Sequence, residues 1–490
     1  MKPALVASAA AVVAAAGVTY FALHRSDHTS LAPSASTPQT AQSAAISFKQ
    51  FVPYSDATPI LDAHRSALPA ELASVPAGQL EAAWPIWVSR HDAAIRARLE
   101  RGDEDSIVNL WLYGTSFTTR PRVTATDMAR LGGGASAEDI IQGRLDDLVA
   151  GVASPGADER LRFVRETLAH HVIDAATAAG RDQAQRYLSE AALRMAAEND
   201  RYHRAEQSAT ALDPSRRLAA FATMFRDRGL SSDTRLPIEF ALEQALAEVK
   251  AKGRLGPGSV RRVAIVGPGL DFSDKAEGYD FYPQQTIQPF AIVDSLIRLG
   301  VSTPNDVRVT TLDLSPRVNQ HVAAARERAR GGGPYVLQVP LAHDEPGRQW
   351  RPEMVTYWQR FGDRIGDEVA AIPVPKGAGA VRVRAVRVRP EVVLSITPLD
   401  VNIVLERLDP MAAEDRFDLV VATNILVYYD AFEQALALSN VSAMLRPGGF
   451  FVTNYAVSPR APMESSASVV TTVDHTRQHT GDTLFWYARR

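Results

Sequence analysis

The chain has 490 residues, of which 46% are hydrophobic and 22% are charged. This composition is typical of globular proteins, and the length is sufficient for two or more domains with separate cores. The formal net charge of -3 excludes a strong basic excess, so we expect no nucleic-acid partner. The absence of cysteine excludes disulfides, thiolate metal sites and cysteine nucleophiles, and we predict no metal site.

A long uncharged segment lies close to the N-terminus. Residues 4–23, ALVASAAAVVAAAGVTYFAL, carry no charge and are flanked by Lys2 and Arg25. The segment is long enough to span a membrane and longer than the apolar part of a usual signal peptide. We therefore predict that residues 1–25 are an uncleaved single-span anchor, with a cleaved signal segment as the alternative. The balanced flanking charges leave the orientation open, and the cytosolic side is expected only if the rest of the chain has a catalytic activity.

Two regions follow the predicted anchor. Residues 26–48 are rich in Ser, Thr, Ala and Pro and predict a flexible linker. Residues 49–255 predict a mainly α-helical domain, because segments such as AEDIIQGRLDDLVAGV and LPIEFALEQALAEVKAKG repeat apolar residues at three- and four-residue spacing. No motif in this domain indicates a chemical function.

From residue 258 to residue 490 the pattern alternates between strands and helices. The sequence predicts strands at VRRVAIVGPG, DVRVTTLDLS, NIVLERLDP, RFDLVVATN and GGFFVTN. Helices are predicted at QPFAIVDSLIRLG, PRVNQHVAAARERARGGG and AFEQALALSNVSAML. This alternation predicts an α/β fold with a doubly wound parallel sheet. SVVTTVD and DTLFWYARR predict an antiparallel C-terminal hairpin at one edge of it.

Candidate ligand-binding residues lie at the ends of the first two predicted strands. Gly267 and Gly269 follow the first strand, where ligands of such sheets bind and where glycine lets the backbone approach closely. Asp313 ends the second strand and is suited to accept hydrogen bonds from both ribose hydroxyls. The alternatives are an ordinary tight turn for the glycines and a helix N-cap for Asp313. A dinucleotide fingerprint requires a third glycine where this chain has Phe272, so a nucleoside cofactor without pyrophosphate fits better.

The succession VAIVGPG, TTLDLS, ERLDP, RFDLVVATNILVYYD and MLRPGGFFVTN resembles the class I S-adenosylmethionine-dependent methyltransferases over residues 258–490. The part FDLVVATNILVYYD … LRPGG is especially similar to the protein-glutamate methyltransferases of chemotaxis. The resemblance implies methyltransferase activity with S-adenosylmethionine as the cofactor.

The resemblance also implies roles for individual residues. It places Gly267 and Gly269 beside the methionine part of the cofactor and Asp313 at the ribose hydroxyls. Asp409, in the position after the third strand, would face the adenine amino group, and Asn424 would line the reaction centre. Asp271 stands where the family has a third small residue, and we include it among the cofactor-binding candidates. The alternatives are a turn acid before Pro410 for Asp409 and a cap of the following turn for Asn424.

Two segments depart from the family pattern. DFSDKAEGYDFYPQQTI, residues 271–287, delays the first helix and contains four acids and four aromatic residues before Pro283. We predict either a lid over the methyl group or a surface loop whose rings pack on the helical domain. VRVRAVRVR, residues 381–389, predicts a bulged strand with one basic face, which is either a charged edge strand or an anion-binding surface.

The acceptor of the methyl group is not identified by the sequence, and both a small molecule and a protein carboxylate are open. A carboxylate needs no general base, whereas a hydroxyl or an amine does. Tyr428, Tyr429 and His475 are available, but nothing distinguishes them, and no catalytic residue is predicted. The alternatives to a methyltransferase are a non-catalytic binding or scaffold protein with the same fold and a nucleotide-dependent oxidoreductase, which Phe272 disfavours.

Overall fold

The computed structural model describes residues 48–123, 135–210, 228–233, 236–272, 279–341, 349–378, 381–473 and 481–490. No helix within these ranges is both long enough and apolar enough to cross a membrane. The prediction of a membrane-anchored protein is corrected on this finding. The segment on which it was based, residues 4–23, lies outside the described residues.

The described part of residues 49–255 is mainly helical, as predicted. Its elements are β1 (Lys49–Phe51), α1 (Tyr54–Ala63), α2 (Ala70–Ala73), α3 (Leu80–Arg96), α4 (Glu100–Tyr113), α5 (Ala135–Ala153), α6 (Glu159–His170), α7 (Ala178–Thr210) and α8 (Leu236–Ala251).

The remainder of the chain alternates between strands and helices. Its elements are β2 (Arg262–Val266), α9 (Gln288–Arg298), β3 (Arg308–Asp313), α10 (Pro316–Arg330), β4 (Tyr335–Leu341), α11 (Pro352–Arg360), β5 (Gly366–Val369), β6 (Arg382–Val388), α12 (Pro390–Leu394), β7 (Ile396–Asp400), β8 (Glu406–Leu408), β9 (Phe417–Ala422), α13 (Ala431–Met444), β10 (Leu445–Thr453), β11 (Met463–Thr472) and β12 (Gly481–Arg489).

Capping side chains mark the start of two helices in this part of the chain. Ser315 caps α10, where its side chain accepts a hydrogen bond from the backbone of Val318 and Pro316 occupies the first helical position. Asp430 and Glu433 form a reciprocal capping box at the start of α13. These caps set the direction in which both helices leave the sheet.

Seven strands form the central sheet in the order β11-β12-β10-β9-β2-β3-β7. β2 pairs in parallel with β3 and with β9, and β9 pairs in parallel with β10. β12 is antiparallel to both β10 and β11 and lies between them. The predicted parallel sheet and its antiparallel C-terminal hairpin are therefore confirmed, and the last strand of the chain is inserted beside β10.

The predicted third strand was wrong. NIVLERLDP contributes only the short strand β8, which pairs with β1 in a separate two-stranded sheet. The third parallel strand is β7, ITPLD, which pairs with β3. β7 lies at the edge of the sheet and is only partly buried. Its sequence is therefore less apolar than NIVLERLDP, which we predicted as the third strand.

The prediction of a bulged edge strand at VRVRAVRVR was also wrong. β6 is the middle strand of a three-stranded antiparallel sheet, β4-β6-β5, and its register with β4 is continuous from Val388 to Arg382. Arg384 is paired with Asp363 and Glu368 at 2.5 and 2.9 Å. β6 therefore pairs with β4 without a bulge, and two neighbouring acids pair with the charge of Arg384.

Helices cover both faces of the central sheet. α8 and α9 pack on one face of β2, whereas α1, α3 and α13 pack on the other. A third core holds α4 to α7 together with Phe272 from the segment after β2. The predicted domain bounds 49–255 and 258–490 stay a prediction. Helices that precede residue 255 contribute to both cores of the sheet.

Candidate functional site

A cavity of about 250 Å³ lies at the carboxyl ends of β2, β3 and β9. This is the place where open α/β sheets bind ligands. Four of the six predicted site residues line the cavity: Gly267, Gly269, Asp313 and Asn424. Their common location is the geometric basis for treating this cavity as the candidate site.

The two glycines form a tight turn that no other residue fits. Their φ angles are 63° and 67°, a region that disfavours residues with a Cβ atom. A Cβ on Gly267 would lie 2.2 Å from Cδ1 of Ile425, and one on Gly269 would lie 2.4 Å from the carbonyl oxygen of Ser232. The turn therefore lies in close contact with Ile425 and Ser232, which line the cavity together with it.

Asp313 is buried beside this turn, with 8% of its surface exposed. Its Oδ1 accepts a hydrogen bond of 2.7 Å from the backbone N–H of Ser315, and the backbone of Gly269 also bonds to the carboxyl. Burial raises the pKa of Asp313 to about 7. The alternative role of Asp313 was that of a helix N-cap. Ser315 is the N-cap of α10, so Asp313 does not have this role.

Asn424 has a left-handed backbone with a φ of 59°. Its backbone N–H donates to Oδ1 of Asn454, and Nδ2 of Asn454 donates to Oδ1 of Asn424, both at 2.7 Å. This reciprocal pair connects the ends of β9 and β10. It fixes an exposed amide at the rim of the cavity.

Asp271, the fifth predicted residue, does not line the cavity. Its Oδ2 accepts hydrogen bonds from Oη of Tyr282 at 2.8 Å and from Nε2 of Gln285 at 3.1 Å. The carboxyl of Asp271 therefore bonds to residues of its own segment, 271–287, which lies before α9.

Asp409, the sixth, is also outside the cavity lining. It is paired with Arg407 at 2.9 Å and follows β8, which is not part of the central sheet. The third parallel strand, β7, ends at Asp400, whose carboxylate pairs with Arg96 at 2.7 Å. The next residue, Val401, lines the cavity.

The aromatic segment after the glycine turn is packed rather than open. Phe272, Tyr279 and Tyr282 are at most 2% exposed. Arg160 on α6 donates hydrogen bonds to the carbonyl oxygens of Asp271, Phe272 and Tyr282.

Asp280 completes the attachment of this segment, because its carboxylate accepts hydrogen bonds from Thr115 and Ser116 after α4. The described residues thus support the packed loop over the lid. Residues 273–278, which include the predicted acids Asp274 and Glu277, lie outside the described ranges.

The helical half of the chain also lines the cavity, which the sequence did not predict. Leu230, Ser232 and Asp233 face the glycine turn, and the backbone N–H of Leu270 donates to the carbonyl oxygen of Ser232 at 2.5 Å. Asp233 and Leu270 form an isolated parallel bridge. No motif marks these small and polar residues, since only the tertiary fold brings them to the sheet.

Sequence reasoning also missed Gln288 and Glu239. Gln288 is the first residue of α9 and lines the cavity. Its Nε2 donates to Oε1 of Glu239 at 2.9 Å, and burial raises the pKa of Glu239 to about 8. The available signal was the presence of glutamates inside the apolar run LPIEFALEQALAEV, of which Glu239 is the first.

No family model matches the sequence, and no curated protein is similar to it. Several solved structures are similar. The N-methyltransferase NodS from Bradyrhizobium japonicum has 12% identity and a TM-score of 0.24, over 52% of this chain and 97% of that chain. The magnesium protoporphyrin IX methyltransferase ChlM from Synechocystis, with bound SAM, has 12% identity and a TM-score of 0.24, over 52% and 80%.

The mitomycin 7-O-methyltransferase MmcR has 10% identity and a TM-score of 0.25, over 84% of this chain and 98% of that chain. At such identities and TM-scores the likeness carries no argument about activity. The predicted similarity to chemotaxis methyltransferases stays a prediction. The chain is similar to solved methyltransferases, and the case for its function depends on the geometry of its own cavity.

Proposed function

We propose that the α/β half of this chain binds S-adenosylmethionine and transfers its methyl group to an acceptor. One observation carries the proposal: the glycine turn after β2 and the buried carboxyl of Asp313 after β3 converge on one cavity at the strand ends. A nucleoside with an attached amino acid matches a site with this combination of close backbone and ribose-binding carboxyl.

The residues present suit this cofactor better than a dinucleotide. Phe272 occupies the position of the third glycine in the dinucleotide fingerprint and is fully buried. The described residues of the turn, up to Phe272, do not form a pyrophosphate cradle. In the proposed complex Asp313 accepts hydrogen bonds from the ribose hydroxyls, and the backbone at Gly267 and Gly269 contacts the methionine part.

The bound cofactor supplies an electrophilic methyl group on a sulfonium, so the chain has to position the acceptor and exclude water. The ionisable side chains among the described residues that line the cavity are Asp233, Asp313, Tyr428 and Tyr429. Burial raises the pKa of Tyr429, and Asp233 accepts a hydrogen bond from Ser106. We propose a carboxylate, of a small molecule or of a protein, as the acceptor, because methyl transfer to a carboxylate needs no general base.

Calorimetry on the full chain with S-adenosylhomocysteine, and with NAD as the competitor class, tests the cofactor. We expect S-adenosylhomocysteine to bind more tightly than NAD. Asp313→Asn should weaken the binding by about 1 to 3 kcal/mol through lost charge-assisted hydrogen bonds. The control is Asp306→Asn, which changes an exposed acid just before the same strand and should leave the affinity unchanged.

Tighter binding of NAD than of S-adenosylhomocysteine would falsify the proposal. Binding without transfer of a labelled methyl group to carboxylic acids of a cell extract would support the non-catalytic alternative.

A further inference from the structure

A short segment of the helical half, residues 228–233, forms one wall of the cavity, and we call it the strap. Four of its residues line the cavity: Leu230, Ser231, Ser232 and Asp233. Leu230 is the one large apolar residue of the strap, so burial of apolar surface contributes little to holding it. The position of the strap therefore depends on its backbone and polar contacts.

The first contact of the strap is with the glycine turn. The backbone N–H of Leu270 donates to the carbonyl oxygen of Ser232 at 2.5 Å. A Cβ on Gly269 would lie 2.4 Å from the same oxygen. Arg317 on α10 donates from Nη2 to Oγ of Ser232 at 2.8 Å. Ser232 is thus held by the backbone of the turn and by one side chain of the α/β half.

The second contact is with the backbone of α4, at Gly102. This glycine is buried and does not line the cavity. A Cβ on it would lie 2.3 Å from the carbonyl oxygen of Leu230 and 3.2 Å from Cα of Ser231. Alanine is otherwise more favourable than glycine within a helix. The glycine is therefore required by the close approach of the strap and not by α4 itself.

Polar groups beside Gly102 hold the two ends of the strap. Arg98 donates from Nε to the carbonyl oxygen of Arg228 at 2.7 Å, and its own carbonyl oxygen accepts from the backbone N–H of Leu230 at 3.0 Å. Ser106 on α4 donates to Oδ2 of Asp233 at 3.0 Å. The strap is therefore placed by α4 and the residues just before it on one hand, and by the glycine turn on the other.

We propose that Gly102 is a positioning residue for the ligand of the cavity. Because it has no side chain, the backbone of Leu230 fits against α4, and the strap reaches the glycine turn and completes the wall. Alanine at this position displaces the strap, since backbone atoms cannot yield as a flexible side chain can. The inference goes beyond the proposed function, because it holds for any ligand bound in this cavity.

The first experiment measures the strap without a ligand. The chain has no cysteine, so Ser231→Cys places a single thiol on the strap, at a partly buried position. Adding Gly102→Ala should raise the rate of its reaction with a maleimide by about 5- to 150-fold, the range expected for an overpacked contact. Gly151→Ala on α5 is the matched control, because a Cβ there would meet the side chain of Leu161. It should change the rate by less than about 2-fold.

A second thiol position separates a local displacement from a general loss of stability. Ser442→Cys lies on α13 and is buried, at 6% exposure. We expect Gly102→Ala to leave its reaction rate within about 2-fold. If both thiols become equally reactive, α4 needs the glycine for folding and the positioning role is rejected.

A milder variant keeps the inference testable if Gly102→Ala does not fold. Ser106→Ala removes one hydroxyl that holds Asp233. It should raise the reaction rate of the thiol in Ser231→Cys by about 2- to 10-fold, as expected for one lost hydrogen bond. Unchanged rates in Ser106→Ala and in the folded Gly102→Ala contradict the inference.

The second experiment measures the ligand, by calorimetry on chains without the thiol. Gly102→Ala should weaken S-adenosylhomocysteine by about 5- to 150-fold, and Gly151→Ala by less than about 2-fold. A displaced strap with unchanged affinity rejects the role in ligand binding. If the unchanged protein does not bind S-adenosylhomocysteine, the proposed function fails, whereas the thiol rates still support or reject the placement of the strap by Gly102.

Discussion

At the scale of single residues, the site contains an ionisable group whose burial disfavours its charged form. Asp313 is 8% exposed and its pKa is raised to about 7 by burial. The carboxyl is retained at a cost, because a neutral side chain of the same shape would avoid the loss of hydration. A residue that destabilises the folded chain at neutral pH is typical of a functional site.

This residue gives a stability prediction with a definite sign. The pKa of Asp313 is about 7 in the folded chain, and we take the unperturbed value of 3.8 for the unfolded chain. The protonated carboxyl therefore contributes stability that is fully present below about pH 4 and is lost as the pH rises through about 7. We expect Asp313→Asn to unfold with a free energy about 3 kcal/mol higher than the unchanged protein at pH 8, and similar to it at pH 4.

Urea denaturation at the two pH values measures this difference. Asp306→Asn, at the exposed neighbouring acid, should show no comparable dependence on pH. A variant of Asp313 that loses stability at pH 8 would mean that hydrogen bonds to the carboxylate outweigh its burial.

At the scale of elements, the segment between β2 and α9 connects the two halves of the chain. Arg160 holds three of its carbonyl oxygens, and Phe272 lies in the core of α4 to α7. Tyr279 and Tyr282 pack with Ala378 and Val381. The delay of the first helix therefore serves as an attachment of the helical part to the sheet, and the lid is not supported.

We expect Tyr282→Ala to lower the free energy of unfolding by about 3 to 5 kcal/mol, because it empties a fully buried ring position. The affinity for S-adenosylhomocysteine per folded molecule should change by less than about 2-fold. Phe281→Ala removes a partly buried ring next to it and should cost less stability. Unchanged stability with a large loss of affinity would restore the lid.

At the scale of the whole molecule, the central sheet is not covered by the helices of the α/β half alone. α1 and α3 share the core on one face with α13, and α8 shares the core on the other face with α9. Residues from Leu230 to Asp233 line the candidate site. The helices that precede residue 255 are therefore part of the same cores and of the same cavity.

A fragment of residues 258–490 should fail to fold as a stable unit. It would expose the apolar surface that α1, α3 and α8 cover, and buried apolar area is the main source of stability. We expect the fragment to bind a hydrophobic dye and to lack a cooperative thermal transition, whereas the full chain unfolds cooperatively. A soluble fragment with a sharp transition would instead support a domain boundary near residue 255.

The sequence by itself determined the elements whose signals are local. Apolar runs predicted β2, β3, β9 and β10, and helical spacing predicted α9, α10 and α13, because burial on a parallel sheet and amphipathic packing leave periodic patterns. The glycine pair and Asp313 could be predicted because their signals are also local. A turn with positive φ requires glycine at a single position, and an acid at the end of a strand is a single residue.

The tertiary structure decided what depends on distant neighbours. ITPLD forms the third parallel strand because an edge position tolerates a weaker apolar pattern. That strand therefore ends at Asp400, and not just before Asp409 as predicted. The pairing of Gln288 with Glu239 and the cover by Ser232 join residues about 50 and 40 positions apart in the chain. No local pattern records such contacts, because each side chain meets its partner only after the sheet and its helices have assembled.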